Sequence, residues 1–515
     1  MNARDAETAV VWFKRDLRVY DHRALAEAAS RYKSIIPVYC REPSIRSLPD
    51  FGVRHDVFIE SSLSDLQHEL RSRGSDLLIL DMEVIDAFRW LFKKTPFAAV
   101  FAHEETGNLA TFERDKTIIK WCRSNGVRLH EYYQNGVQRG LKQRYGWARV
   151  WHQRMHEQMI PAPATLPSIP GPLKEITAAL RRGTQENVYE RGGRTAGLQV
   201  LNTFLLSRGR AYHREMSSPL TAENSCSRLS SYISYGCLSM REIVQAAEAR
   251  KLQIRTEGGD GYTQRALTSF LSRCHWHCHF MQKLELEPAI ETKCFNRACE
   301  TLRERGTRTD LLEQFQAGQT GYPFLDACIR FLDAKGWINF RMRAMITSFA
   351  AYNLWIDWRD FKDWLACQFQ DYEPGIHYSQ LQMQSGVTGI NTLRIYNLVK
   401  QGLDQDPQGQ FIRRWVPELA KLPDVGIHEP WKLPQASLQQ AGVKLGNTYP
   451  LPIVDLKESS RLAKSKFSEV RRNPLFWEES ERVQRMHGSR KRQPDRRRAK
   501  PKLSDNEQME LSLEG

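Results

Sequence analysis

The sequence predicts an α/β N-terminal domain built on a Rossmann-like parallel sheet, followed by an all-α C-terminal domain. Three observations predict it. Over the first 132 residues, short β-rich runs alternate with amphipathic stretches. A segment rich in proline (Pro161, Pro163, Pro167, Pro170 and Pro172) then breaks the pattern. From about Gly192 to Val454 the apolar residues recur at helical spacing. Alternating β and α places parallel strands between two layers of helix, and a chain of 515 residues exceeds what one core supports.

Strands are expected at 9–13, 34–39, 76–80, 98–102 and 127–131, where β-branched and aromatic residues gather. Between the second and third, residues 57–71 carry Phe58, Leu63, Leu66 and Leu70 on one helical face. The turn after the first strand, Lys14-Arg15-Asp16-Leu17, has no GxGxxG, so it does not hold a dinucleotide in the usual way. In the helical part Leu198, Leu201, Phe204 and Leu205 form one stripe, and Ala327, Phe331, Ile346 and Phe349 fall at similar spacings. The expected organisation is an α/β domain over 8–135, a connector over 136–191 and a helical domain over 192–455. A single C-terminal helix over 456–485 and a disordered basic tail over 486–515 complete it.

Composition narrows the partners. The formal net charge of +15 favours a polyanion, nucleic acid first. Much of the excess is local: between Arg482 and Lys502 there are ten Lys or Arg and one acid, Asp495. No run of about 18 apolar residues exists, so no membrane span is expected. Residues 1–8 are polar and lack the apolar core of a secretion signal, and the ten cysteines are scattered, which reads as a reducing cytoplasm.

Several motifs then meet in order. Trp12-Phe13-Lys14-Arg15-Asp16-Leu17-Arg18 is followed by Asp21, Ala24 and Leu25. Ser227-Arg228-Leu229-Ser230 is followed by Gly236 and Leu238-Ser239. Thr320-Gly321-Tyr322-Pro323 leads to Asp326-Ala327 and Arg330, then to Gly336-Trp337, Arg341 and Arg343. Asp357-Trp358-Arg359 and Arg413-Arg414-Trp415-Val416-Pro417-Glu418-Leu419 complete the set. Each motif alone is weak, and the ordered set is specific. On these residues the chain resembles the DNA photolyase and cryptochrome family over roughly 8–455.

The resemblance implies FAD, folded into the helical domain. Its pocket would comprise Tyr212, Cys226, Ser227, Arg228, Leu229, Ser230, His277, Trp337, Arg343, Asp371, Glu373 and His377. The residue types suit it. A pyrophosphate needs hydroxyls, backbone N–H groups and a cation, which the stretch from Ser227 to Ser230 supplies; alone, the same stretch would read as a helix cap. An arginine beside the flavin stabilises the reduced anionic ring, and a carboxylate orients that arginine. Trp276, Arg341 and His377 are implied on the catalytic side, with Trp358 and Trp355 in electron transfer. The α/β domain would house any second antenna chromophore: a folate, a deazaflavin or a flavin. The implied activity is photo-lyase chemistry on UV-induced pyrimidine lesions, by a monomer that binds damaged DNA without reading sequence.

The likeness has gaps. Arg273 stands where the family has an acidic contact to the lesion, Phe340 where it has Asn, Ala344 where it has Met, and Met383 where a tryptophan stacks on the lesion. The paired histidines of the (6–4) branch are replaced by Asn339 and Ala344. His377 takes the place of an asparagine facing flavin N5; it reads either as a proton donor or as a buried, satisfied histidine. Leu381 replaces the flavin-proximal tryptophan of the electron-transfer chain, leaving Trp355, Trp337, Tyr378 and Tyr396 as substitutes. These departures keep a second reading open, a cryptochrome-like photoreceptor without repair, and a third, a light-independent flavin oxidoreductase.

Two further signals remain. Cys274, His275, His277, Cys278 and His279, with Cys294 and Cys299 beyond, invite a metal, but no CxxC pair is present and a repacked pocket is preferred. The terminal Gln508-Met509-Glu510-Leu511-Ser512-Leu513 resembles the short peptide with which bacterial repair proteins grip a sliding clamp, against the plainer reading of a polar terminus.

Overall fold

β1 (Thr8–Phe13) is the centre of a sheet whose strands run β3-β2-β1-β4-β5, all parallel, with β2 at Ser34–Cys40, β3 at Leu78–Leu80, β4 at Ala99–His103 and β5 at Arg128–Tyr132. These coordinates are a computed structural model describing residues 6–174 and 190–488. A strand covered on both faces reads as a continuous apolar run, as Ala9-Val10-Val11-Trp12-Phe13 does. Alternate residues enter different cores. Val10 and Trp12 join Phe88 and Phe97 under the helix Val84–Lys94. Ala9, Val11 and Phe13 join Phe58 and Leu63 of the helix Val53–Arg71, in a core that continues to Tyr232 and Leu238 of the helical domain. β3 is shorter than expected because Asp76 accepts hydrogen bonds from Arg71 Nε and from the Leu77 amide, which ends the preceding turn at that point.

The turn after β1 joins the domains. Leu17 N–H donates to Tyr235 O at 3.1 Å. Arg15 donates to Ser234 O at 2.8 Å and to Tyr372 O at 2.6 Å, and Arg18 donates to Gly236 O at 2.9 Å. Gly236 has φ of +66° and presses backbone to backbone, since a Cβ there would lie 2.3 Å from Arg15 O. The Lys-Arg-Asp-Leu-Arg run is thus a clasp between domains.

The helical domain is organised by the 26-residue helix Gly261–Leu286, whose first turn is capped by Asp260 accepting from Thr263 N–H. It packs on the helix Pro374–Gln384, where a Cβ on Gly375 would meet Met281 Cα at 2.5 Å. The connector is ordered where it is described: it contains the helix Trp147–Met155 and buries Leu166, Ile169 and Leu173.

The C-terminus differs from the expected single helix. Leu456–Arg472 and Pro474–His487 are separate helices, because Pro474 lacks the N–H that would continue the first and Asn473 caps the second. The second also runs past the expected end at 485, since His487 is buried and bonded to Glu287. Residues 489–515, including 508–513, lie outside the described residues. No helix of the structure, among the described residues, is long and apolar enough to cross a membrane.

Candidate functional site

The predicted residues come from several elements of the helical domain. The first is the loop that leaves the helix Pro219–Ser225 at Cys226. Arg228 holds φ of +59°, an uncommon conformation for a side-chain-bearing residue, which turns the chain sharply before Ser230–Ser234. Its guanidinium lies 3.9 Å above the Trp337 ring and pairs with Glu190 at 2.6 Å. Arg228 Nη1 is buried without a partner. Leu229 is fully buried, and Tyr212 packs edge-on to Phe204 and Phe270.

Asp371 and Arg343 pair as expected, Oδ2 to Nη2 at 2.8 Å, with Arg343 Nε donating to Ile338 O. Burial alone would raise the Asp371 pKa; Arg343 and the Ser230 hydroxyl more than offset it and hold the carboxyl below its usual range. Asp371 Oδ1 remains buried and unpartnered. Glu373 is buried with Arg15 Nη1 at 3.7 Å, and burial pushes its carboxyl up to about 7 against that attraction.

Gly261–Leu286 contributes Trp276, half-buried against His279 and Phe280, and His277, whose Nδ1 is buried without a partner. Burial lowers His277 to about 4, so its ring is neutral. Arg341 Nε and Asn339 Oδ1 are likewise buried and unpartnered, while Phe340 between them is 49 % exposed. The unmatched atoms of Arg228, His277 and Asp371 lie close together, since the Asp371 carboxylate acts electrostatically on His277 and is itself held by Arg228. Buried polar atoms are seldom left unbonded, so this set fits a polar ligand with many acceptors and donors, as a flavin dinucleotide is.

His377 departs from the role of a proton donor. Its Nε2 is 2.9 Å from Lys362 O, a bond that places the ring proton there, and burial lowers the pKa to about 4. The neutral ring sits edge-on to Tyr372 and Tyr378. The predicted aromatic chain is also uneven. Trp358 is fully buried, with its indole N–H on Cys294 Sγ at 3.5 Å. Trp355, at φ of +58°, lies in a different cluster with Phe467 and has the Arg303 guanidinium 4.5 Å from its ring. Leu381 is buried in the main core.

The cysteine–histidine run is spread around its helix. His275 packs on Trp147 and Trp151, and His279 on Trp276 and Arg144. Among the described residues the one group with metal-like spacing is Asp16, His22 and His103. There His22 Nδ1 accepts from Leu25 N–H, so its proton is on Nε2 and faces Asp16: a hydrogen-bonded helix cap. Sequence reasoning missed Glu190, Asp50 and Tyr372. Glu190 and Asp50 carry no local signal, whereas Tyr372 stands between two residues that were singled out.

A parallel α/β domain clasped to a helical domain defines a class by architecture, a two-domain α/β plus all-α protein, and the fold alone names no ligand. Family comparison supplies one. A model described as the FAD binding domain of DNA photolyase matches residues 270–469, and one described as DNA photolyase matches 9–138. The chain belongs to the DNA photolyase and cryptochrome family. It is 29 % identical over 489 residues to a cryptochrome DASH of Gloeobacter violaceus, covering 88 % of this chain and 94 % of that one. It is 27 % identical to a deoxyribodipyrimidine photo-lyase of Agrobacterium fabrum, covering 90 % and 98 %. Among solved structures, a bacterial class III photolyase from Agrobacterium tumefaciens superposes with a TM-score of 0.78 at 24 % identity, covering 91 % and 98 %. An archaeal photolyase from Sulfolobus tokodaii, crystallised with two FAD molecules, gives 0.70 at 25 %, covering 90 % and 100 %.

Proposed function

We propose that this protein is a light-driven FAD flavoprotein that repairs UV-induced pyrimidine lesions in DNA, a deoxyribodipyrimidine photo-lyase in type. The observation that carries the reading is the Arg343–Asp371 pair, whose free Asp371 Oδ1 lies near the unmatched atoms of Arg228 and His277. Arg228 and the Ser227 and Ser230 hydroxyls would hold the pyrophosphate. Arg343, oriented by Asp371, would face the reduced ring, and its fixed charge favours the anion. FAD, when bound, supplies the photochemical electron transfer. Trp276 and Arg341 would position the lesion, Trp276 by its ring face and Arg341 by its guanidinium donors. Exposed cations would hold DNA phosphates without reading sequence. The segment 508–513 adds a contact to a sliding clamp, tethering the repair protein where DNA is handled.

A cavity of about 110 Å³ opens at the carboxyl ends of β1 and β2, lined by Phe13, Tyr39, Glu42, Asn108, Arg114 and Tyr372 among others. Ligands of parallel α/β sheets bind in such crevices. We assign it to the antenna chromophore.

One set of observations favours a second reading, a photoreceptor without repair. Arg273, Phe340 and Met383 remove an acidic contact, an amide and a stacking ring from the substrate side. The deciding experiment incubates purified, reduced, FAD-loaded protein with irradiated DNA under blue light and counts each pyrimidine lesion. Light-dependent loss of one lesion supports repair. Reversible flavin photochemistry with every lesion intact supports the photoreceptor, and protein that takes up no FAD overturns both.

A further inference from the structure

Two tyrosines of the helical domain meet a carboxylate supplied by the α/β domain. Tyr372 OH donates to Asp50 Oδ2 at 2.6 Å. The Tyr378 hydroxyl lies 3.1 Å from the Tyr372 oxygen and 3.4 Å from Asp50 Oδ2. A phenol has one proton. With the Tyr372 proton directed at Asp50, Tyr378 is the donor in the bond between the two phenols. All three side chains are buried. Burial raises the pKa of both phenols, so both are neutral and hydrogen-bonded.

Their position matters as much as their bonding. Tyr372 lies between Asp371 and Glu373 in the chain, and both rings sit edge-on to His377, at 5.2 and 5.4 Å. Tyr372 also lines the cavity at the sheet, as does Asp50. Tyr372 is therefore adjacent in the chain to the carboxylates proposed for the flavin and borders the cavity proposed for the antenna.

The tryptophans are less suited to lose an electron. Removing an electron from an indole leaves a cation until its N–H proton departs. The Trp358 N–H faces the thiol of Cys294, whose pKa burial pushes up to about 12, and a neutral thiol is a poor proton acceptor. Trp355 already has a guanidinium above its ring, which repels a second positive charge. Tyr372 alone among these has a carboxylate in line with its proton.

We propose that Tyr372 is an electron donor to the photoexcited oxidised flavin, with Asp50 as the acceptor of its phenolic proton. This rests on the FAD photochemistry proposed above. One electron leaves Tyr372 for the flavin. The phenolic O–H bond breaks, its proton forms a new O–H bond on Asp50 Oδ2, and the tyrosine becomes a neutral radical whose oxygen accepts the Tyr378 O–H. The Tyr372–Asp50 pair goes from one negative charge to none, matching the electron lost. An added thiol, itself oxidised, returns the electron, and the proton goes back from Asp50 to the phenol.

The test uses the full-length, FAD-loaded, oxidised protein, flashed with blue light and read by transient absorption and by electron paramagnetic resonance of frozen samples. Wild type is expected to give a tyrosyl radical, whose line narrows when the chain is made with ring-deuterated tyrosine. Tyr372→Phe should remove that radical. Asp50→Asn keeps an acceptor oxygen but no site for the proton, and should lower the radical yield by roughly tenfold or more. Deuterium oxide should slow radical formation in wild type, an effect that a purely structural tyrosine would not produce. Tyr378→Phe should keep the radical and alter its spectrum through the lost hydrogen bond. Tryptophanyl radicals alone in wild type, or an unchanged tyrosyl radical in Tyr372→Phe, would overturn the proposal. Should Tyr372→Phe not fold, the deuterium labelling and Asp50→Asn decide. Photoreduction through Trp358 without any tyrosyl signal sinks this inference and leaves the photochemical reading standing; protein without FAD sinks both.

Discussion

The α/β domain and the helical domain both bury charge near a cavity, but they balance it differently. At the sheet, Arg114 bonds Glu42, Glu105 and Asp115, and Lys14 bonds Asp115. That network closes on itself, with Glu42 Oε2 as its one unmatched atom. In the helical domain some polar side chains are anchored on one side and left open on the other, as with Asp371 Oδ1 and Arg228 Nη1. A closed network contributes to folding. An open one, costly when buried, marks where a ligand completes the structure. Charge density alone does not identify a site; a cluster of unmatched charged groups is the stronger sign.

Removing one partner on each side separates the two networks. Arg114→Met strips Glu42 and Glu105 of their cation and leaves Asp115 with Lys14 alone, with a loss of about 3–5 kcal/mol in stability and a large fall in melting temperature by calorimetry. Chains that remain folded should keep their flavin. Asp371→Ala should instead lower flavin per chain by at least about tenfold, read from absorbance, with a smaller change in melting temperature once FAD is removed from both proteins. Equal effects of the two changes on flavin content would erase the distinction.

Glu373 offers a titration. Its pKa is raised to about 7 by burial, so the folded state favours its proton. The resulting stability is full below its unfolded pKa of about 4.3 and is lost as pH rises through about 7. Glu373→Gln keeps the shape without the titration. Relative to wild type it should gain stability between about pH 5 and pH 8, up to an order of 3 kcal/mol, seen in denaturant midpoints of flavin-free protein. A difference that stays constant with pH would show that the carboxyl is not held protonated.

Arg228→Ala should weaken FAD binding by about tenfold, since one charge-assisted contact is lost and the half-buried Glu190 is left without its cation. Dialysis against apo-protein reads it directly. The smallest effect concerns the tail. Deleting 489–515 should lower DNA affinity modestly, flatten its salt dependence and leave FAD bound. The cut belongs after Gly488: Arg482 and His487 both bond Glu287 at the end of Gly261–Leu286, so removal from 482 would disturb the flavin helix itself. Fluorescence anisotropy at several salt concentrations checks it, and an unchanged slope would place the phosphate contacts elsewhere.

Much of this architecture was legible in the chain because its signals are local. All five strands lie within a residue or two of the alternating apolar runs, and both C-terminal helices fall where helix was expected. The break between those helices was missed although Asn473-Pro474 spells a cap and a missing donor. The Arg343–Asp371 pair was legible through the order of motifs. Asp50 was not: it reaches Tyr372 across 322 residues, and nothing near position 50 announces it. His377 was readable as a residue but not as a state, since the carbonyl that claims its proton belongs to Lys362 on another helix.

The clasp at Gly236 limits how such proteins can be recombined. A chimera that joins this α/β half to the helical half of a relative must carry a matching glycine and the Arg15–Leu17–Arg18 turn as one unit. Any side chain at 236 would drive a wedge of carbon into the main chain of the other half. Inheritance of the two halves is therefore coupled through a joint that has no side chain of its own, and the α/β half can be traded among relatives only where both edges of that joint travel together.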